Sequence, residues 1–184
     1  MQKKIIQKIL LLLSVAFLFD SCVSQTERAE RKEKTKDINY TNRLTKKTFP
    51  EPIGYVNDFA SILDSMDILK LEAKLQHYDK RTTNQIVIVT LDSEERTDDN
   101  FDEYALELSK YWGVGTKEKN NGLTIVFDPG LRRIRINTGL GTEKILTDEI
   151  CERVLQTLIV PAFRTDSYFE GLDKATNEFI KLWD

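Results

Sequence analysis

The chain has 184 residues, with 27 Lys/Arg against 30 Asp/Glu, a formal net charge of −3 and 40% hydrophobic residues. That length admits one well-packed domain and would cramp a second. With a mean hydropathy of −0.40, the composition excludes both a membrane bundle and a disordered chain.

The charge is unevenly distributed. Val23–Pro50 holds eight Lys/Arg and four Asp/Glu, a net of +4, whereas the chain from Glu51 onward holds sixteen and twenty-five, a net of −9. An acidic domain lacks the basic footprint that nucleic acid requires, so no nucleic-acid partner is expected and cations are left open. The two cysteines, Cys22 and Cys151, lie far apart and suggest no disulfide framework.

The first 21 residues read as an address. Lys3, Lys4 and Lys8 precede Ile9–Phe19, which is apolar apart from Ser14, and Asp20-Ser21-Cys22 follows. A basic start and an apolar stretch too short for a stable span fit a secretory signal. Cys22 stands where the mature chain would begin, which resembles a bacterial lipoprotein signal with an acylated thiol, although Phe19 and Asp20 replace the usual aliphatic and small residues. A simple signal peptide or an uncleaved anchor are the alternatives. The lipoprotein reading predicts an exported protein held to the envelope membrane by its N-terminal lipid, with the domain in the periplasm or at the cell surface. Residues 22–50 are rich in Lys, Glu and Thr and poor in large apolar side chains, so they read as a flexible tether. The domain proper is expected over 51–184.

Within it, Ile53–Val56 reads as a short opening strand and Asn57-Asp58 as a loop. Asp64 or Ser65 can cap a helix to about Lys80, whose apolar positions Ile68, Leu71, Leu75 and Tyr78 recur at helical spacing. Gln85–Leu91 carries four consecutive β-branched residues, the mark of a strand buried on both faces. Asp92–Asn100 reads as an acidic loop. Phe101, Tyr104, Ala105, Leu108 and Tyr111/Trp112 mark a second helix, closed by Gly113.

Trp112–Asp148 holds most of the glycines and the densest strand signals. Leu123–Phe127 and Arg133–Asn137 flank Asp128-Pro129-Gly130, a tight-turn sequence, and so predict an antiparallel hairpin. Thr147 caps a third helix, with Asp148 and Glu149 complementing its dipole and Pro161 limiting it. Asp166 caps a last helix running through Phe179 to Trp183. Cys151 reads as a small buried residue of the third helix. The order β-α-β-α-β-β-α-α predicts an α/β three-layer sandwich: a mixed, mostly parallel central sheet with an antiparallel edge hairpin and helices on both faces.

Several chemistries fail on residue inventory. The single histidine, His77, lies on the first helix, and no serine sits at a strained elbow, so a Ser-His-Asp set is not available. Gly139-Leu140-Gly141 lacks a third glycine and follows a hairpin strand, a weak dinucleotide signal. Zinc is disfavoured by one His and two separated Cys. Oxygen ligands remain. Asp58, Asp128, Glu143 and Asp148 fall at strand ends or loop-to-helix junctions, with Asn120 and Asn121 nearby, and such groups suit hard Ca²⁺ or Mg²⁺. Each also has a local role open to it: Asp128 as a turn starter, Asp148 as a dipole partner, Asn120-Asn121-Gly122 as a bend. Arg132, Arg133 and Arg135 could bind phosphate or simply line an outer strand face.

Together these residues carry a pattern. Val56-Asn57-Asp58 with Ala60 and Leu63, Gln85–Val89, Tyr104-Ala105, Trp112–Gly115, Asn120-Asn121-Gly122, Arg133–Ile136, Gly139-Leu140-Gly141 with Glu143, Thr147-Asp148, and Pro161–Arg164 with Tyr168 and Gly171-Leu172 resemble the TPM domain family over nearly all of 53–184. Its members include thylakoid-lumen proteins linked to photosystem II repair and many bacterial membrane-tethered or secreted proteins. The resemblance implies a compact α/β sandwich, binding of calcium or magnesium by acidic loop residues, and the acid phosphatase activity proposed for some members. Carried over by position, Asp58, Asn120, Asn121, Asp128, Glu143 and Asp148 would surround the cation. Thr142 departs from the apolar residue common there, and an N-terminal lipid would replace the C-terminal apolar span of many bacterial members.

Two functions follow as expectations. One is a non-catalytic envelope module whose metal loops recognise a partner in a membrane complex. The other is metal-assisted hydrolysis of phosphate monoesters, with Asp58 or Asp128 positioning the water but no evident nucleophile or acid.

Overall fold

A computed structural model describes residues 49–92 and 98–184. The signal segment, Cys22 and nearly all of the tether lie outside the described residues. Four strands form one sheet in sequence order: β1 (Val56–Asp58), β2 (Gln85–Thr90), β3 (Gly122–Asp128) and β4 (Arg133–Thr138). β1, β2 and β3 are parallel and β4 closes the edge antiparallel to β3, as the order of elements predicts.

Helices α1 (Ser65–Thr82), α2 (Asp98–Trp112), α3 (Asp148–Val154), α4 (Val160–Phe163) and α5 (Tyr168–Trp183) cover the sheet, with a π-helical turn at Leu155–Ile159. Alternation along each strand divides the core in two. Ile86, Ile88, Leu123 and Ile125 face Leu71, Leu75, Tyr78, Val154, Leu172 and Phe179 from α1, α3 and α5. Val87, Val89 and Val126 face Phe101, Ala105 and Leu108 of α2, together with Phe49. Each fully buried Leu, Ile or Val adds roughly 1.5–3 kcal/mol. β2 and β3, covered on both sides, supply the continuous apolar runs that such strands require.

One feature of the winding is not legible in the sequence. β1, β2 and β3 advance across the sheet in one direction, yet α1 covers one face and α2 the other. The two crossovers therefore have opposite hands, and one departs from the right-handed rule. The connections after β1 and β2 leave the carboxyl ends of those strands toward opposite faces.

Local differences from expectation have local causes. β1 begins at Val56 rather than Ile53, because the Asn57 side chain accepts from Ile53 N at 2.6 Å and donates to Gly54 O at 2.9 Å, folding 54–55 into a bend. Phe49 and Pro50, the last residues of the expected tether, are part of the folded unit: Phe49 is 6% exposed and Trp112 Nε1 donates to Pro50 O at 2.8 Å. α2 starts at Asp98, inside the segment read as a loop. The helical path does not stop at Pro161. The π turn shifts Val160 N to Leu155 O, and this wider register carries the chain past a residue that cannot donate. α5 starts at Tyr168, and Asp166 is not its cap. Instead Asp166 adopts φ +55° and accepts from the Tyr168 hydroxyl at 2.9 Å. The caps at Asp64 and Thr147 and the αL residue Gly113 lie where the sequence puts them.

Candidate functional site

The carboxyl ends of the three parallel strands form a rim of loops, and Asp58 and Asp128 lie on it. Asp58 ends β1. Its carboxylate accepts from Ile62 N at 3.2 Å, from Leu63 N at 2.9 Å and from the Thr90 hydroxyl at the end of β2. That hydroxyl in turn accepts from Ala60 N at 3.1 Å. The loop leading to α1 is thus fastened to two strands by one acid and one threonine. Asp128, fully buried, ends β3 and accepts from Leu131 N at 3.0 Å, which shapes the Pro129–Arg132 turn.

Strand alternation points these two acids apart. Asp58 follows Val56 by two and faces the α1 side, whereas Asp128 follows Val126 by two and faces α2, in register with Arg133.

The other candidates lie at the opposite edge of the sheet. Asn120 and Asn121 precede β3, and the seven residues of that strand put them about 20 Å from Asp128. Asn121 is 5% exposed and spent on the fold. It accepts from Thr116 N at 2.9 Å and Thr116 Oγ1 at 3.0 Å, and donates to Thr83 O at 2.7 Å and Asn84 Oδ1 at 3.0 Å. Asn120 adopts φ +48° and its carbonyl accepts from Gly141 N at 3.0 Å. Glu143 and Asp148 are exposed near the start of α3, close enough to Cys151 for both to bear on its thiol.

The expected cage of six oxygen ligands is therefore not assembled. A Ca²⁺ ion needs six to eight oxygens converging on one point, and these residues occupy two edges and, at one edge, two faces of the sheet. Among the described residues no group of three or more His, Cys, Asp or Glu could hold a metal ion.

The glycine-rich loops at the far edge are packing devices. A Cβ on Gly122 would lie 2.0 Å from Val114 O, and one on Gly141 would lie 1.9 Å from Lys119 O. The backbone of 139–141 lies directly on that of 119–120, an approach that leaves no space for a Cβ. Thr142 is buried beside them and its hydroxyl donates to Gly122 O at 2.9 Å, which satisfies a polar side chain at a buried position.

Cys151 is 8% exposed, and burial, followed by Asp148 and Glu143, pushes its thiol up to about 11. That is an inert core cysteine. His77 is exposed on α1, away from both cores.

Sequence reasoning missed a cleft of about 450 Å³ beside the carboxyl rim. Phe127, Phe163 and Tyr168 wall it, and Arg132 and Arg164 border it. Gly171 of α5 sets Phe163 in place. A Cβ there would come within 3.0 Å of the Phe163 ring, so the helical glycine, which costs about 1 kcal/mol against alanine, has a packing reason. The Pro161–Tyr168 run carried the signal for these residues.

This geometry defines a class: a three-layer α/β domain whose strand-end loops form a fastened rim beside an aromatic, arginine-bordered cleft. The TPM domain model matches residues 56–182, and the chain belongs to that family. The chain is similar to the solved N-terminal domain of a P. gingivalis protein, at 29% identity and TM-score 0.63, covering 71% of this chain and 82% of that one. BA42 from Bizionia argentinensis matches at 14% identity and TM-score 0.57, covering 67% and 83%. The N-terminal domain of cg2496 from Corynebacterium glutamicum matches at 18% and 0.52, covering 73% and 82%. The last two likenesses concern the fold alone. No curated protein matches the chain.

Proposed function

We propose that the chain is a non-catalytic TPM-domain module of the cell envelope, tethered to the membrane through a lipid on Cys22, whose carboxyl-rim loops dock a partner protein of a membrane complex. The observation that carries this reading is the use made of Asp58. Its carboxylate is engaged by three donors that fasten the β1–α1 loop, the work of a structural staple rather than of a group free to position water. Asp128, the other acid at the rim, shapes its own turn and faces the opposite side of the sheet. Rigid loops on a strand-end rim are a common setting for recognition. The role proposed here needs no cation.

The test is turnover of p-nitrophenyl phosphate by the full chain, with and without Mg²⁺ or Ca²⁺, beside Asp128→Ala. Metal-dependent turnover lost in that variant would establish metal-assisted monoester hydrolysis and overturn the module. A calcium titration with amide shifts clustered at Asp58 or Asp128 would overturn the cation-free reading. Labelling of cells with a palmitate analogue, lost in Cys22→Ala, tests the tether.

A further inference from the structure

The cleft of about 450 Å³ beside the rim carries chemistry that the docking role does not use. Its wall is a packed aromatic trio: ring centroids lie 4.5 Å apart for Phe127 and Phe163, 5.6 Å for Phe127 and Tyr168, and 5.1 Å for Phe163 and Tyr168. Of the six arginines among the described residues, Arg81, Arg133, Arg135 and Arg153 are each ion-paired. The two left without an ion pair or side-chain hydrogen bond among the described residues, Arg132 and Arg164, are the two that border this cleft. The acid that shares the lining, Asp166, accepts from the Tyr168 hydroxyl instead.

Backbone on both sides of the cleft is held in the left-handed region, at φ +52° for Arg132 and +55° for Asp166. Both residues lie in the turns that lead into and out of the cleft wall, where the chain reverses direction.

We propose that this cleft binds an oxyanion carried on a flat apolar body, with the Arg132 and Arg164 guanidinium groups on the carboxylate or phosphate and the ring lying along the aromatic trio. The forked donors of arginine match both oxyanions, and a flat ring packs well against aromatic faces. The cleft volume falls in the range of small-ligand sites, about 300–1,000 Å³. On a domain of net −9 charge, two arginines with no ion pair among the described residues, against the one carboxylate of Asp166, leave the lining net positive beside an apolar wall. The assignment stands apart from the docking role and holds whether or not the rim docks a protein.

The test is calorimetric titration of the full chain with phenylphosphonate and benzoate, against inorganic phosphate and benzyl alcohol. Phenylphosphonate contains no ester bond, so binding is read independently of any hydrolysis. At least one of the two charged aryl probes should bind about tenfold or more tightly than either control, and which of the two binds better distinguishes phosphate from carboxylate as the natural head group. Arg132→Ala combined with Arg164→Ala, two exposed positions, should cost about tenfold or more with circular dichroism unchanged. Phe163→Leu should reduce the preference for phenylphosphonate over phosphate. Inorganic phosphate binding as well as phenylphosphonate, an unchanged affinity in the double variant, or no binding of either aryl probe would overturn the proposal.

Discussion

The Thr90 hydroxyl donates to the Asp58 carboxylate across the carboxyl ends of β2 and β1, tying together the two strands whose connections leave toward opposite faces. Asp58→Ala would leave Thr90 and the Ile62 and Leu63 amides without their acceptor. The expected cost is about 2–3 kcal/mol in urea unfolding, with Asp58→Asn costing about half, since one oxygen remains. A structural staple predicts the same loss with chelator and with added calcium. A loss confined to calcium-containing buffer would make Asp58 a cation ligand instead.

The close approach of two backbone segments at the amino edge makes a second prediction. Gly122→Ala and Gly141→Ala each place a methyl about 2 Å from a carbonyl oxygen on the facing loop, and that loop cannot move without breaking the bonds of Asn121. Each substitution should cost on the order of 3 kcal/mol or prevent folding. Gly113→Ala, with open space around its Cβ, should cost only the strain of its positive φ, about 1 kcal/mol. Thermal melts of the three variants side by side would show this ranking.

Cys151 should resist thiol reagents at neutral pH. Burial raises its thiol to about 11, so the thiolate fraction is minute in the folded chain. In a Cys22→Ser background, labelling by iodoacetamide should be slow and should accelerate sharply at the urea midpoint. Rapid labelling of native protein would contradict the burial.

Alkaline stability should reflect Tyr55. Burial, followed by its hydrogen bond to Asp79 at 2.6 Å, raises the phenol to about 12. A group that holds its proton more tightly when folded adds stability that is full below the ordinary value of 10.0 and is lost as pH rises toward 12. Stability should fall across that window by less in Tyr55→Phe than in the native chain. Tyrosinate absorbance should show a phenol titrating near 12 that is missing from the variant, with Tyr78 and Tyr168, also raised by burial, unchanged in both.

Much of the architecture was readable before any coordinates. The β-branched run Ile86–Val89 announced a central strand, Asp128-Pro129-Gly130 a hairpin, and the Leu71, Leu75 and Tyr78 spacing a helix packed on one side. Each is a short-range signal, arising from steric preference, turn chemistry or the period of burial. The candidate cation site was not readable, because ligand convergence is a long-range property. The same acid at a strand end can grip an ion or its own loop. Asp58 took its loop, and Asn121 took Thr116, Thr83 and Asn84.

The chain by itself determined which segments are strands and helices, where most of them begin, and the family to which it belongs, because those depend on neighbours a few residues apart. Only the tertiary structure decided that α1 and α2 cover opposite faces, that the candidate oxygen ligands are divided between two edges of the sheet, and that two arginines with no ion pair among the described residues meet three aromatic rings in one cleft. Those outcomes depend on how distant elements stack on the sheet, and no local preference encodes the direction in which a strand-end side chain will find its partner.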